Sequence, residues 1–314
     1  MGQTGPDLSV VIPVFNEAEN LGELHARLVA TLEKSGRSYE IVFVDDGSSD
    51  GSLDMLRGFR DQDSRVRIVR LSRNFGQSPA LFAGFAHVRG RIVATLDADL
   101  QNPPEELPKL VEKLEEGYDM VNGVRVNRHD SLFRRLCSKL LNYIIGRVTK
   151  VPIHDHGCSL KAFRREVVDR LSLYTHRSRY LPVEVALLGV HVAEVDVGHS
   201  GRVQGDSKYS LLDLVRLNFD IITSITSAPL QLIGLVGWFF ALIGFAMAGF
   251  VLYIRIAQGD INKLGSVTAL FFIIAGVHMI TMGLMCEYVG RIFIEVQNKP
   301  YYIVKEVIEE DNTK

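Results

Sequence analysis

Apolar and polar residues alternate in blocks over the first 200 residues of the chain. Short apolar runs rich in Val and Ile predict buried strands at 8–15, 39–44, 66–71, 91–96 and 119–124. Segments between them, such as 17–34, place leucine at helical spacing and predict helices. This alternation is typical of an α/β protein with a doubly wound, mostly parallel sheet, whose functional site lies at the carboxyl ends of the strands.

Two long uncharged segments follow this region. Segment 230–254 has 25 residues without a charge, and segment 264–286 has 23, with His278 as its one titratable side chain. As helices, each would extend roughly 35 Å, which is enough to cross the hydrocarbon core of a bilayer. The sequence therefore predicts a hairpin of two transmembrane helices. The alternative is two buried helices of a soluble domain, which rarely stay apolar on all sides for this length.

These patterns predict four regions. They are a catalytic domain at 1–205, a juxtamembrane region at 206–229, the hairpin at 230–286 and a tail at 287–314. The juxtamembrane region contains an amphipathic helix that lies either on the membrane surface or on the sheet, and both interpretations stay open. No signal peptide is expected, and Lys and Arg are more frequent on the terminal side of the spans. Both termini and the catalytic domain are therefore expected in the cytoplasm.

Composition narrows the class of protein. The 35 Lys and Arg residues nearly balance the 37 Asp and Glu residues, which leaves a net charge of −2. A general nucleic-acid binder usually has a basic excess, so no nucleic-acid partner is expected. The three cysteines are widely spaced and form no Cys-x-x-Cys pair, which favours a reducing compartment.

Carboxylates follow three of the predicted strands. They are Glu17 after the first, Asp45 and Asp46 after the second, and Asp97 and Asp99 after the fourth. Because the carboxyl ends of parallel strands meet at one edge of a sheet, these acids are expected to form one cluster. Cations or protons must offset their mutual repulsion. Oxygen ligands of this kind suit Mg²⁺ or Mn²⁺, which would in turn hold a diphosphate.

Several motifs stand in order along the chain. They are VIPVFNE at 11–17, VDDGSSD at 44–50, LSRNFGQ at 71–77, DADLQ at 97–101, RVQGDSKY at 202–209 and EYVGRI at 287–292. This set resembles the inverting family 2 glycosyltransferases of GT-A fold. With two C-terminal spans, it is most similar to the polyprenyl-phosphate branch, which includes dolichyl-phosphate mannose synthases. Segment 155–164 is similar to the undecaprenyl-phosphate 4-deoxy-4-formamido-L-arabinose transferases; glucose, N-acetylhexosamine and mannose remain rival sugars.

The resemblance implies roles for individual residues. The nucleotide-binding positions are Pro13, Phe15, Glu17, Asp45, Asp46 and Asp97. The positions for a divalent metal and the diphosphate are Asp97, Asp99 and Gln101. The positions that contact the acceptor phosphate are Arg125, Arg134, Ser138, Arg202 and Lys208. The alternative role of Phe15 is that of an aromatic residue in the core. The basic helix predicted at 132–148, which carries Arg134, has contact with anionic lipid as an alternative role. This role is compatible with binding of the acceptor phosphate.

The same resemblance gives a catalytic set of Asp99, Arg125 and Asp155. Asp155 matches a carboxylate proposed as a base in related enzymes. A phosphate oxygen is already anionic near neutral pH and scarcely needs deprotonation, so the alternative is that Asp155 orients Lys161 or the acceptor.

The resulting hypothesis is a metal-dependent inverting transferase in the inner membrane of a bacterium. It moves a sugar from a nucleotide donor, with UDP the first choice, to undecaprenyl phosphate for lipid A or cell-envelope modification. The resemblance also implies a homotetramer. A processive polysaccharide synthase is disfavoured because its Gln-x-x-Arg-Trp element is absent and Trp238, the only tryptophan, lies in the first span. A non-enzymatic scaffold or flippase is disfavoured by the intact set of acids.

Overall fold

The computed structural model describes most of the predicted catalytic domain and part of the C-terminal region. The described residues are 5–126, 155, 157–173, 181, 184–185, 188–198, 253, 256, 264–296 and 300–309. The predicted helix at 132–148 and the amphipathic region lie outside them, as does the first uncharged segment apart from Tyr253. The chain divides into two compact units, Met1–Asn218 with Pro300–Lys314 and Phe219–Lys299.

The first unit is an α/β domain with one mixed sheet of parallel and antiparallel strands. Its described strands are β1 Leu8–Val14, β2 Tyr39–Asp45, β3 Val66–Leu71, β4 Ile92–Thr95, β5 Met120–Arg125, β6 Lys161–Arg164, β7 Val192–Val197 and β8 Val304–Ile308. Its described helices are α1 Ala18–Lys34, α2 Ser52–Gln62, α3 Gln77–Phe85, α4 Leu107–Glu115, preceded by the 3₁₀ turn Pro104–Glu106, and α5 Arg165–Leu173. The second unit contains α6, Leu264–Val296.

The order of the described strands is β7-β5-β6-β4-β1-β2-β3-β8. The strands β4, β1, β2 and β3 run parallel, whereas β6 and β8 are antiparallel to their neighbours. The predicted α/β sheet with a parallel centre is therefore confirmed. The alternation of strand and helix forces each crossover to return to the same end of the sheet, which places the loops after β1, β2 and β4 side by side.

Apolar residues cover both faces of this sheet. The helix face predicted for α1 is buried, with Leu21, Leu24 and Leu28 fully inaccessible and Leu32 nearly so. Helix α3 packs on the other face, where a Cβ at Gly84 would lie 2.3 Å from Cγ1 of Val11. Glycine is therefore needed there because the helix and the strand approach too closely for a larger side chain.

The C-terminal strand is displaced from its predicted position. The sequence of the tail predicts a strand-like segment at 301–304, but β8 begins at Val304. Tyr301 is instead partly buried and packs against the core, with its ring centroid 5.8 Å from that of Phe82 in an edge-on contact. Burial of an aromatic ring outweighs the strand propensity of this short segment.

Helix α6 has 33 residues and continues past the predicted end of the second uncharged segment to Val296. It exposes large apolar side chains, including Val267, Phe271, Ile274, Met282, Met285, Val289, Ile292 and Phe293. Within the described part of the chain, no helix meets the combined requirement of length and hydropathy for crossing a membrane.

Candidate active site

The central parallel strands bring the predicted acids to one edge of the sheet. Strand β1 pairs with β2 on one side and β4 on the other, so the loops that follow all three strands are neighbours. Val14 is opposite Asp45 in this register. Glu17, Asp45 and Asp97 therefore follow adjacent strand ends, as the sequence predicted, and form the acidic edge of the candidate site.

Asp45 presents a buried carboxylate oxygen. Its side chain is fully inaccessible, and Oδ1 accepts a hydrogen bond from the Ser48 N–H at 3.0 Å. Oδ2 is buried and has no hydrogen-bond partner among the described residues; Nε of Arg70 is 3.8 Å from it. A buried oxygen of this kind is costly unless a donor completes it, so Asp45 is suited to accept an N–H from a bound ligand.

Asp46 connects the loop after β2 to the loop after β3 by hydrogen bonds. Its carboxylate accepts hydrogen bonds from the backbone N–H groups of Phe75 at 2.7 Å and Gly76 at 2.8 Å. Burial raises the pKa of Asp46, and these two bonds partly offset the rise. Gly47 has φ +72°, and a Cβ there would lie 2.7 Å from the carbonyl carbon of Arg73. The predicted contact of Asp46 with a ribose stays a prediction; its visible role is to hold the loop after β3.

The acids after β4 stand in a tight turn. Asp97 Oδ1 accepts a hydrogen bond from Nε2 of Gln77 at 2.6 Å. Asp99 accepts two from Gln101, at 3.1 Å from the backbone N–H and 2.7 Å from Nε2. Leu100 has φ +59°, a left-handed conformation that is unfavourable for a branched side chain. Such strain is typical of functional sites, and here it turns Gln101 back toward Asp99.

The electrostatics of this turn favour a cation. Burial, and next the negative charge of Asp99, raise the pKa of Asp97 to about 6. Among the described residues, no three His, Cys, Asp or Glu side chains converge on one point. A magnesium ion bound together with a nucleotide needs only one or two protein carboxylates, because phosphate oxygens and water complete its shell. Asp97 and Asp99 therefore fit a divalent metal that a diphosphate shares.

The same pKa shift predicts that Asp97 lowers the stability of the metal-free protein. The carboxyl has a pKa near 3.8 when unfolded and about 6 when folded. Between these values the folded state binds more protons, so the free energy of unfolding falls as pH rises from about 4 to about 6 and then stays level. Asp97→Asn is expected to be more stable than the wild type at pH 8 by about 1–2 kcal/mol. This is less than the full pKa shift would give, because the side chain is partly exposed and water screens its charge.

Thermal unfolding in EDTA at pH 4, 6 and 8 measures this effect. The stability difference between Asp97→Asn and the wild type should shrink toward zero as pH falls to 4. A variant that is equally stable or less stable at pH 8 would show that burial does not penalise this carboxylate.

Arg125, at the end of β5, forms a largely buried, bidentate ion pair with Asp155. Nε of Arg125 lies 2.7 Å from Oδ2 of Asp155, and Nη2 lies 2.8 Å from Oδ1. The carboxylate also accepts the backbone N–H of Gly157 at 3.2 Å. The side chains are 15% and 6% exposed. Bidentate contacts of this geometry fix the plane of a guanidinium, so Asp155 is well placed to hold Arg125 in one orientation.

A buried polar chain connects this ion pair to the sheet. Nζ of Lys161 donates to Oδ1 of Asn122, and Nδ2 of Asn122 donates to the backbone carbonyl of Asp155 at 3.0 Å. Burial lowers the pKa of Lys161. Lys161 thus approaches Asp155 through Asn122 and the backbone, and the carboxylate itself is directed at Arg125.

The remaining predicted residues divide into two groups. Pro13, Phe15 and Glu17 lie at and just beyond the end of β1 and are partly buried, and Glu17 accepts a hydrogen bond from Nδ2 of Asn20 at 2.7 Å. The predicted acceptor contacts Arg134, Ser138, Arg202 and Lys208 lie outside the described residues.

Sequence reasoning missed Gln77, Leu100 and Asn122 as parts of this site. Gln77 ends the LSRNFGQ motif, so its proximity to an acid could have been suspected from the family resemblance. The strained backbone of Leu100 has no signal in the sequence, because leucine rarely adopts a positive φ. Asn122 reads as an ordinary strand position, and only the pairing of β5 with β6 places it beside Lys161.

Comparison with known proteins agrees with this geometry. The family model described as "Glycosyl transferase family 2" matches residues 9–172. The chain is 43% identical over 310 residues to undecaprenyl-phosphate 4-deoxy-4-formamido-L-arabinose transferases of Salmonella paratyphi A and Salmonella dublin, covering 98% of this chain and 95% of each relative. An α/β sheet with acids at its strand ends and this similarity together define a sugar-transferring enzyme. The chain belongs to glycosyltransferase family 2.

Solved structures share the fold at lower identity. Mannosyl-3-phosphoglycerate synthase from Rubrobacter xylanophilus is 19% identical, with a TM-score of 0.54, and the match covers 73% of this chain and 75% of that one. Glucosyl-3-phosphoglycerate synthase from Mycobacterium tuberculosis, solved with Mn²⁺, UDP-glucose and phosphoglyceric acid, is 22% identical, with a TM-score of 0.53 and coverage of 71% and 79%. At these identities the similarity establishes the GT-A architecture.

Proposed function

We propose that this enzyme transfers 4-deoxy-4-formamido-L-arabinose from a UDP-linked donor to undecaprenyl phosphate. The observation that carries the proposal is the similarity over nearly the full chain to transferases named for this sugar and acceptor, at 43% identity. The candidate site supports it, because Asp45 has a buried acceptor oxygen, Asp97 and Asp99 fit a divalent metal, and Asp155 holds Arg125 in the same unit.

The donor nucleotide binds along the ends of β1, β2 and β4 in this proposal. Asp45 accepts the imide N–H of the uracil base through Oδ2, the buried oxygen that lacks a hydrogen-bond donor among the described residues. Pro13, Phe15 and Glu17 border the nucleoside from the end of β1. Asp46 supports this region by holding the loop after β3.

The diphosphate lies next to the turn after β4. Asp97 and Asp99 would hold Mg²⁺ or Mn²⁺ together with the diphosphate, and Gln101 orients Asp99 through two hydrogen bonds. When bound, the metal supplies a positive charge that stabilises the leaving nucleoside diphosphate. Gln77 keeps Asp97 directed into the turn.

The lipid phosphate is the nucleophile. One of its anionic oxygens forms a bond to the anomeric carbon, and the bond from that carbon to the donor phosphate breaks with its electron pair, which leaves UDP. Attack in line with the leaving group inverts the configuration, and the product is a phosphodiester of the sugar and the lipid. Arg125 provides positive charge for the acceptor phosphate, with Arg134, Ser138, Arg202 and Lys208 as further contacts. Asp155 orients Arg125 and is a positioning residue in this scheme.

The second unit anchors the enzyme in the bacterial inner membrane in this proposal. Segments 230–254 and 264–286 contribute the two spans, with region 206–229 at the interface and both termini and the catalytic domain in the cytoplasm. The support is the uncharged length of both segments and the exposed apolar surface of α6. A homotetramer is proposed from the family resemblance.

Transfer to the lipid tests the proposed function. Detergent-purified enzyme is incubated with undecaprenyl phosphate, Mn²⁺ or Mg²⁺ and a panel of nucleotide sugars, and the lipid product is analysed by mass spectrometry. The expected result is a glycolipid carrying formamido-arabinose, formed at least about 100-fold faster than with UDP-glucose, because unmatched polar groups in a sugar site are strongly selective.

Other outcomes would redefine or remove the proposal. A preference for UDP-glucose, a UDP-N-acetylhexosamine or GDP-mannose would keep the reaction and change the sugar. Release of free nucleotide without lipid product would indicate a different acceptor. No turnover with any donor would overturn the proposed function.

A further inference from the structure

The C-terminal strand β8 brings two glutamates to arginines of the catalytic unit. Arg70 of β3 is opposite Glu306 in the antiparallel register, and its Nη1 lies 2.9 Å from Oε1 of Glu306. At the other end of β8, Glu309 lies 2.9 Å from both Nε of Arg67 and Nη2 of Arg89. The same strand therefore makes two comparable ion-pair groups, one beside the candidate site and one away from it.

Arg70 lies between Glu306 and the base-binding acid. Its Nε is 3.8 Å from Oδ2 of Asp45, which is too far for a hydrogen bond but close enough for a strong charge interaction. The Arg70 side chain is 26% exposed and Glu306 is 37% exposed, whereas Asp45 is fully buried. The hydrogen bond from Arg70 lowers the pKa of Glu306, so its carboxylate is ionised at neutral pH. Charges of alternating sign thus extend from the sheet edge to the nucleotide site.

We propose that Glu306 is a positioning residue for the donor nucleotide, because it holds Arg70 at its present distance from Asp45. The inference rests on the proposed role of Asp45 in binding the base. With Glu306 present, the guanidinium has a carboxylate on each side. Without it, Arg70 turns toward Oδ2 of Asp45 and donates to the oxygen that the base requires. Glu306 therefore keeps that oxygen available.

This arrangement also bears on the choice of base. The ring N3 of uracil carries a hydrogen and donates to a carboxylate, whereas N3 of cytosine is an acceptor and would be repelled by one. Selectivity for uridine over cytidine nucleotides therefore depends on Oδ2 of Asp45 remaining without a donor from the described residues. When Arg70 donates a hydrogen bond to that oxygen, the unfavourable interaction with cytosine and the favourable interaction with uracil both become weaker.

Other contacts keep β8 in place when Glu306 is altered. The Ser72 N–H donates to the Ile303 carbonyl at 2.9 Å, and the Tyr301 ring packs edge-on against Phe82. Glu309 retains both of its arginine partners. A substitution at Glu306 is therefore expected to change the position of Arg70 without detaching the strand.

The test compares Glu306→Gln with two matched controls in the full-length enzyme. Glu309→Gln removes a comparable set of ion pairs from the same part of the chain. Arg57→Gln removes the second partner of Glu306, because Nη2 of Arg57 lies 3.3 Å from Oε1 of Glu306 in the wild type. Isothermal titration with UDP and with CDP, in the presence of Mn²⁺, gives the two dissociation constants. Glu306→Gln is expected to raise the Kd for UDP about fivefold, which is the upper range for a partly exposed ion pair, and to lower the ratio of Kd(CDP) to Kd(UDP) by a similar factor.

Both controls are expected to remain within about twofold of the wild type in UDP affinity. Glu306→Asp, which keeps the charge but shortens its reach, should fall between Gln and the wild type. If Glu306→Gln binds UDP as tightly as Glu309→Gln does and keeps the same base preference, the positioning role is overturned while the proposed function stands. A wild-type enzyme that binds no uridine nucleotide would overturn the proposed function instead.

Discussion

Asp99→Asn is expected to lower kcat by about 10³-fold while leaving the protein folded. The charge that develops on the leaving diphosphate must be neutralised, and loss of a metal ligand removes several kcal/mol of that stabilisation. Asparagine keeps the size of the side chain and one oxygen, which can accept one of the two hydrogen bonds from Gln101. The loss should therefore fall on metal binding and catalysis, with little change in the unfolding temperature.

Initial rates at saturating donor and acceptor, over a range of Mn²⁺ concentrations, measure this effect. Asp54→Asn is the matched control, because its side chain is 84% exposed on α2 and, within the described ranges, its carboxylate makes only a long contact with Arg57. The control should retain wild-type rates. Wild-type activity in Asp99→Asn, at the same metal requirement, would remove Asp99 from the metal site.

The sequence predicted the acidic edge because two regular patterns coincide there. Alternating strands and helices place the strand ends together, and Asp45 and Asp97 each follow an apolar run directly. These are short-range signals, and the parallel register of β1, β2 and β4 bears them out. Strand and helix bounds shifted by only a few residues in this part of the chain.

Long-range contacts were beyond the reach of the same reasoning. Glu306 lies 236 positions from Arg70, and its pairing follows only from β8 joining the edge of the sheet. The tail was expected to start with a strand-like segment and to end polar, and its alternating residues give no indication of their partner strand. In the same way, Asp155 was expected to act as a base or to orient Lys161 or the acceptor, and its ion pair with Arg125 was not predicted.

Substitutions in the ion pair between Arg125 and Asp155 are expected to have the second large effect, on stability as well as on activity. Arg125→Met removes the bidentate partner of the Asp155 carboxylate, whose side chain is only 6% exposed. Removing one partner of a buried pair typically costs about 3–5 kcal/mol, whereas replacing both partners by apolar residues is often nearly neutral. Arg125→Met is therefore expected to lower the unfolding temperature in detergent strongly, and the double variant with Asp155→Leu to recover much of it.

Activity separates the two roles of the pair. The double variant should remain at least about 100-fold less active than the wild type, because it lacks the Arg125 guanidinium for the acceptor phosphate. Asp155→Asn should retain part of its activity, with the KM for undecaprenyl phosphate raised more than kcat is lowered, since an amide oxygen still accepts one bond from Arg125. A loss of kcat beyond about 10³-fold in Asp155→Asn, with KM unchanged and the pH profile flattened, would instead identify Asp155 as a base. Because Arg125 satisfies both carboxylate oxygens at 2.7 Å and 2.8 Å, positioning is the expected result.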